Sequence, residues 1–110
     1  MKRTFDSIIA DFKKEAAVDF IGFWELVGTV KTYYEDDESE NLQMLTLDLM
    51  KRMLSKGFKI GYLSGTGNKL EPWVDQEPDH VATKIKAEWH GLGHEPTIGD
   101  IGWFDYEPRP

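Results

Sequence analysis

A chain of 110 residues with no cysteine and a net charge of −7 at pH 7 sets the first limits on this protein. At this length we expect one domain spanning residues 1–110, because a second hydrophobic core would need more chain. Without cysteine, neither disulfide bonds nor thiolate metal ligands hold the fold. The negative charge argues against nucleic acid as a partner, since affinity for phosphate backbones depends on accumulated lysine and arginine.

The apolar residues are distributed as in a globular core. Hydrophobic residues make up 40% of the chain and aromatic residues 13%, which is typical of a packed globule. Asp6, Asp11 and Lys13 interrupt the first segment, so no signal peptide is readable there, and no apolar run is long enough for a membrane span. We therefore expect a cytoplasmic protein with no membrane partner.

The first two predicted helices run from Thr4 to Ala17, with Thr4 or Asp6 as the cap, and from Phe20 to about Tyr34. Apolar residues recur on one face of each at helical spacing. The first face carries Phe5, Ile8, Ile9, Phe12 and Ala16, and the second carries Phe20, Phe23, Trp24, Val27 and Val30. Gly22 and Gly28 each weaken the second helix by roughly 1 kcal/mol relative to alanine, so an extended conformation for residues 27–34 stays open as an alternative.

An acidic turn, defined here as residues 35–40, follows the second helix. Glu35, Asp36, Asp37, Glu38 and Glu40 are five of the twenty acidic residues, and without them fifteen acids face thirteen bases. So many neighbouring carboxylates repel one another, which predicts a solvated turn. If the protein has a basic partner, the acidic turn is where electrostatic steering is expected.

The third predicted helix runs from about Glu40 to Lys56, with Ser39 as its cap and Gly57 as its end. Its apolar stripe is Leu42, Leu45, Leu49 and Met53, widened by Met44, Leu47, Met50 and Leu54. A strand is predicted from Phe58 to Ser64, where apolar residues alternate with others. A turn-rich loop then leads from Ser64 through Pro72 to Trp73.

The fourth predicted helix begins at Pro78 or Asp79 and stops at Gly91 and Gly93. Val81, Ile85 and Trp89 fall on one of its faces. A second strand is predicted from Ile98 to Tyr106, where aromatic and β-branched residues are concentrated. The whole pattern predicts a compact, helix-rich α+β domain with about four helices and a small antiparallel sheet of two or slightly more strands.

No motif in the chain predicts catalysis, a cofactor or a metal. His90 and His94 stand four residues apart, but a helical metal site needs an unbroken turn between its ligands, and two glycines lie in the gap. The segment from Gly65 to Lys69 lacks the P-loop spacing and is interpreted as an ordinary turn. Most of the tryptophans are expected in the core, while Trp73, after a proline in a loop, is expected to be partly exposed and available to a partner.

Four segments together resemble a known protein family. They are the run from Leu45 to Gly61, Glu-Pro-Trp at residues 71–73, Ile-Lys-Ala-Glu-Trp at residues 85–89, and Gly-Asp-Ile-Gly-Trp-Phe at residues 99–104. This order is similar to that of the small bacterial immunity proteins of contact-dependent growth inhibition and related polymorphic toxin systems, over a little more than half of the chain. The resemblance implies a protein that is not an enzyme and that binds and neutralises one cognate toxin domain, often a nuclease.

Candidate toxin-binding residues come from the charge pattern and from the tryptophan expected to be partly exposed, since the motif residues report the fold more than the activity. They are Glu35, Asp36, Asp37, Glu38, Glu40, Trp73 and Asp75. An inhibitor with concentrated negative charge is complementary to the basic cleft of a nuclease. The sequence leaves open the toxin's reaction, the stoichiometry and the oligomeric state of the free protein.

Two other functions fit the same sequence. One is a housekeeping enzyme or ligand-binding domain with His80, His90 or His94 as its working group. The other is a small adaptor that binds a different host protein through the same acidic turn.

Overall fold

The computed structural model describes residues 4–34 and 39–106, without the side chains of residues 39 and 40. The described chain forms four helices and four strands in the order α1, β1, α2, α3, β2, β3, α4, β4. The helices are α1 (Phe5–Ala16), α2 (Phe23–Tyr34), α3 (Ser39–Ser55) and α4 (Pro78–Leu92), and the strands are β1 (Ile21–Gly22), β2 (Phe58–Leu63), β3 (Leu70–Pro72) and β4 (Trp103–Tyr106). The predicted α+β fold class is confirmed.

The local signals for α1 and α4 act as the sequence predicts. The hydroxyl of Thr4 accepts a hydrogen bond from Ser7 N at 3.1 Å and caps α1, and Ile8, Ile9 and Phe12 are buried along its apolar face. At the end of α4, Gly93 takes the left-handed conformation with φ 71°. Gly91, however, lies inside the helix, so the predicted stop at that residue is wrong and only Gly93 terminates α4.

The second predicted helix starts too early. Ile21 and Gly22 form β1, which pairs with β4, and α2 begins at Phe23. The carboxylate of Glu25 accepts a hydrogen bond from Gly22 N at 2.9 Å and closes this junction. Residues 27–34 are helical, which settles the alternative that the glycines left open.

The sheet is a four-stranded antiparallel one with the strand order β1-β4-β2-β3. In its centre Phe58 to Gly61 of β2 pair with Tyr106 to Trp103 of β4. The edge strand β3 lies within a segment predicted to be a loop. Its pairing with β2, in which Leu70 lies opposite Leu63, stabilises an extended conformation that the local sequence does not signal. Such short strands are stabilised by their partner more than by their own residues.

The last strand is shorter than predicted because residues 97–102 form a turn. The carboxylate of Asp100 accepts from both the backbone N and the hydroxyl of Thr97, at 2.9 and 3.1 Å. Ile101 has φ 71°, which β-branched residues rarely adopt, and its side chain is buried. The predicted start at Ile98 is therefore wrong, and β4 begins at Trp103.

The core lies between the helices and one face of the sheet. Phe23 packs between Trp89 of α4 and Phe104 of β4, with ring centroids 5.7 and 6.5 Å away. Helices α3 and α4 run antiparallel. Lys51, near the end of α3, accordingly pairs with Asp79 at the start of α4. This arrangement decides which surface residues are neighbours.

Within residues 4–34 and 39–106, no helix combines the length and apolar character needed to cross a bilayer.

Candidate partner-binding surface

The chain between β3 and α4 is fastened to the sheet by one side chain. The amide of Gln76 accepts from Ile60 N at 3.0 Å and donates to Ile60 O at 2.7 Å and to Trp73 O at 2.8 Å. Trp73 N also donates to Ile60 O at 3.0 Å. The Gln76 side chain thus takes the place of a strand residue where β3 ends, and it fixes the path of the loop.

A second set of hydrogen bonds fixes the loop to the start of α4. The carboxylate of Asp75 accepts from Glu77 N at 2.9 Å, and the carboxylate of Glu77 accepts from His80 N at 2.9 Å as the cap of the helix. Pro78 follows as the first helical residue, where its missing N–H is not needed. The prediction that α4 opens at Pro78 is confirmed, with Glu77 as the capping residue.

Between these two anchored points Val74 is fully exposed, at 105% of its reference area. It borders an open concavity of about 370 Å³. The lining is Trp73, Val74, Asp75, His80, Val81 and Lys84. We call Trp73, Val74, Asp75, Glu77 and His80 the docking surface.

Trp73 is half-buried, which agrees with its predicted partial exposure. Its ring packs 5.4 Å from Tyr62, which is 49% exposed, and the ammonium group of Lys84 lies 4.7 Å from the ring centroid. Lys84 also pairs with Glu88 at 2.9 Å. The indole N–H of Trp73 is buried and has no acceptor among the described residues. The ring is therefore held by neighbours of the same chain while part of it faces solvent.

His80 joins the two carboxylates of the docking surface. Its Nδ1 lies 2.9 Å from Asp75 and its Nε2 lies 3.6 Å from Glu77. The hydrogen bond and charge of Asp75, with a further contribution from Glu77, raise the pKa of His80 above its usual 6.5. The backbone hydrogen bond from Glu77, and then the His80 ring, lower the pKa of Asp75. Asp75 therefore stays ionised at neutral pH.

Of the predicted site residues, the structure describes the side chains of Trp73 and Asp75. Glu35, Asp36, Asp37 and Glu38, and the side chain of Glu40, lie outside what the structure describes. Ser39, the next described residue, begins α3, while Lys51 near the other end of α3 lies beside α4's first turn. The twelve residue-to-residue steps of helix from Ser39 to Lys51 span about 18 Å. Trp73 and Asp75 therefore lie at one end of α3 and the acidic turn joins the other.

Three residues of the docking surface were not among the predicted toxin-binding residues. They are Val74, Glu77 and His80, the last of which entered only as a possible catalytic group. The sequence signal that locates them is the pair of carboxylates at residues 75 and 77 immediately before Pro78, since acids at a helix start accept from its free N–H groups. No local signal predicts that Gln76 anchors them to a strand sixteen residues away.

The histidines at the other end of α4 make separate contacts. His90 is exposed on α4, and the ring of His94 lies 2.8 Å from the carbonyl oxygen of Glu95. No group of three or more histidine, aspartate or glutamate side chains within the described ranges is arranged to hold a metal ion. The segment between Ser64 and Lys69 is a turn closed by their backbone hydrogen bond at 2.8 Å, as interpreted from the sequence.

Comparisons with protein-family models, curated proteins and solved structures found no match for this chain. The resemblance to immunity proteins therefore stays a prediction.

Proposed function

We propose that this chain is an immunity protein that binds one cognate toxin domain, a cationic nuclease, and occludes its active site. The observation that carries the proposal is Val74, which is fully exposed in a loop held on both sides by hydrogen bonds. Tryptophan side chains are enriched among the residues that carry most of the binding energy of a protein interface, and the half-buried Trp73 lies beside Val74. The docking surface is the part of the described chain that best combines these features.

Preorganisation supports this role for the loop. Association costs free energy when loops and side chains become ordered, roughly 0.5–1.5 kcal/mol for each immobilised flexible side chain. Gln76, Asp75 and Glu77 already fix the backbone around Val74 in the free protein. Little further ordering of this loop is therefore needed when a partner binds.

Charge supports a basic partner. Asp75 directly follows the exposed valine, Glu77 lies two residues further on, and Asp79 follows on the first turn of α4 with 78% of its side chain exposed. Such carboxylates complement the basic cleft of a phosphate-binding enzyme and favour the correct partner. We assign a separate role to the acidic turn, with Glu35, Asp36, Asp37, Glu38 and Glu40, which steers the toxin during the approach.

Survival of cells that express the neighbouring toxin gene tests the function. Cells should survive expression of that toxin domain only when this protein is present, and the two purified proteins should elute together in size exclusion. Toxicity that persists in the presence of the protein, with no complex in size exclusion, would refute the proposal.

The role of the acidic turn has its own kinetic test. Neutralising Glu35, Asp36, Asp37 and Glu38 together should slow association with the toxin and flatten its dependence on salt, because long-range attraction is screened by ions. Stopped-flow mixing at several ionic strengths measures both quantities. An association rate that matches the wild-type protein at every salt concentration would show that the acidic turn does not steer.

The Asp75–His80 hydrogen bond favours a second candidate, an enzyme with His80 as its general base. A carboxylate that orients a histidine is a common part of such sites. The variant His80→Ala separates the two functions, since an enzyme would lose its turnover, while an immunity protein would lose one contact of the docking surface, bind the toxin more weakly and still protect cells when it is in excess over the toxin. The adaptor alternative would instead be supported if no toxin gene neighbours this one.

A further inference from the structure

Gln76 holds the docking surface without being one of its exposed residues. Its side chain is partly buried and spans the gap between Ile60 of β2 and Trp73 at the start of the loop. Two of its three hydrogen bonds are donated by one nitrogen to backbone carbonyl oxygens. Only a side chain with both a donor and an acceptor at its end makes this set of bonds.

We infer that Gln76 is a positioning residue that sets the affinity for the toxin by holding Trp73 and Val74 in the docking conformation. This inference rests on the proposed function. A binding surface that is correctly arranged for only a fraction of the time binds with an affinity reduced by that fraction. Gln76 therefore affects the complex through the population of the ordered loop.

Strand β3 ends before it pairs with both backbone groups of Ile60, so the Gln76 side chain becomes important. After β3 ends at Pro72, the Trp73 amide donates to Ile60 O, but the amide nitrogen of Ile60 is bonded to the Gln76 side chain. Without Gln76, Ile60 N has no acceptor among the described residues, and Trp73 O loses its donor. Unpaired backbone groups at a partly buried site favour opening of the loop to water.

The variant Gln76→Glu removes the donor while keeping the size of the side chain. At neutral pH a carboxylate oxygen would then face two carbonyl oxygens in place of the amide nitrogen. We expect hydrogen exchange of the Trp73 amide to accelerate and toxin affinity to fall, each on the order of tenfold or more. Both effects should shrink as the pH is lowered and the introduced carboxyl gains a proton, because a protonated carboxyl donates one hydrogen bond again.

The matched control is Asn68→Asp in the turn between β2 and β3. It makes the same amide-to-carboxylate change on an exposed loop, where Asn68 accepts hydrogen bonds from the nearby hydroxyl groups of Thr66 and Ser64. Trp73 exchange and toxin affinity should stay within about twofold of wild type in this variant, since a solvated charge has small effects at a distance. The variant Gln76→Met, which has no charge and no hydrogen bond, should resemble Gln76→Glu at neutral pH and show no pH-dependent recovery.

Exchange and affinity separate failure of the inference from failure of the function. Unchanged Trp73 exchange in Gln76→Glu and Gln76→Met would overturn the inference, and so would faster exchange with undiminished toxin affinity. If the wild-type protein binds no toxin, the proposed function fails, while Trp73 exchange in the Gln76 variants still shows whether Gln76 orders the loop. If Gln76→Glu does not fold, Gln76→Met and the low-pH measurements provide the same comparison.

Discussion

The two ends of α4 differ in how their polar residues are connected. At the first turn, Glu77 and His80 are tied to Asp75, and the preceding loop is tied through Gln76 to β2. Just beyond the last turn, the ring of His94 lies 2.8 Å from the adjacent carbonyl oxygen of Glu95, whose carboxylate forms an exposed pair with Lys31 at 3.2 Å. Residue spacing draws attention to the histidines of the second end. At the first end, the hydrogen bonds from Gln76 to Ile60 also fix the backbone that leads into the helix.

The largest effect should come from a methyl group added where β2 meets β3. In Gly61→Ala the new Cβ would lie 2.7 Å from Pro72 Cα and closer still to Glu71 O. The backbone of β3, which leads into the docking surface, must therefore shift. We expect the free energy of unfolding to fall by about 3 kcal/mol, at the upper end for overpacking. Urea unfolding measures this loss. A variant as stable as wild type would mean that the two strands approach less closely than described.

A smaller effect is expected at the other end of α4. Gly93 has φ 71°, and nothing lies within 4 Å of a Cβ added there, so Gly93→Ala tests conformation without steric contact. The cost should be about 1 kcal/mol, because a side chain disfavours the left-handed region. Thermal unfolding is the measurement, and toxin affinity serves as the control. Reduced affinity in a folded Gly93→Ala variant would place the toxin at the wrong end of α4.

The effect of His80 on stability should depend on pH. Its pKa is raised in the folded protein, mainly by Asp75, so protonation favours the folded state. The contribution is fully present below the unfolded pKa of about 6.5 and is lost as the pH rises through the folded pKa. The advantage of wild type over His80→Gln should therefore be larger at about pH 5.5 than at about pH 8.5 in thermal unfolding. An advantage that grows with pH would contradict the described contacts with Asp75 and Glu77.

Much of the fold is predictable from the sequence because its signals are local. The stripe of α1, the cap at Thr4 and the glycine after α4 each act within one or two helical turns. The short strands β1 and β3 are not predictable in this way, since their conformation depends on pairing with distant segments. The positive φ of Ile101 is equally hidden, because a β-branched residue gives no signal for it.

The candidate site is predictable to a smaller extent. Pro72 and the carboxylate at residue 75 mark Trp73 and Asp75 as exposed positions, and the structure places both beside Val74. The hydrogen bond between Gln76 and Ile60 holds this loop against the sheet, and no pattern of neighbouring residues encodes it. Charge alone therefore directs attention to the acidic turn, while the fastened surface lies at the far end of α3.

Two exposed valines provide the most direct test of the central claim. Val74 lies in the docking surface, and Val18, 89% exposed, lies between α1 and β1. Titration calorimetry with the neighbouring gene's toxin compares Val74→Lys with Val18→Lys, which add the same charge to equally folded proteins. Our account predicts that Val74→Lys weakens binding by about 30-fold or more, as for an interface anchor worth roughly 2 kcal/mol, while Val18→Lys changes it less than about threefold. Equal affinities for the two variants would contradict the proposal that the toxin binds at the docking surface.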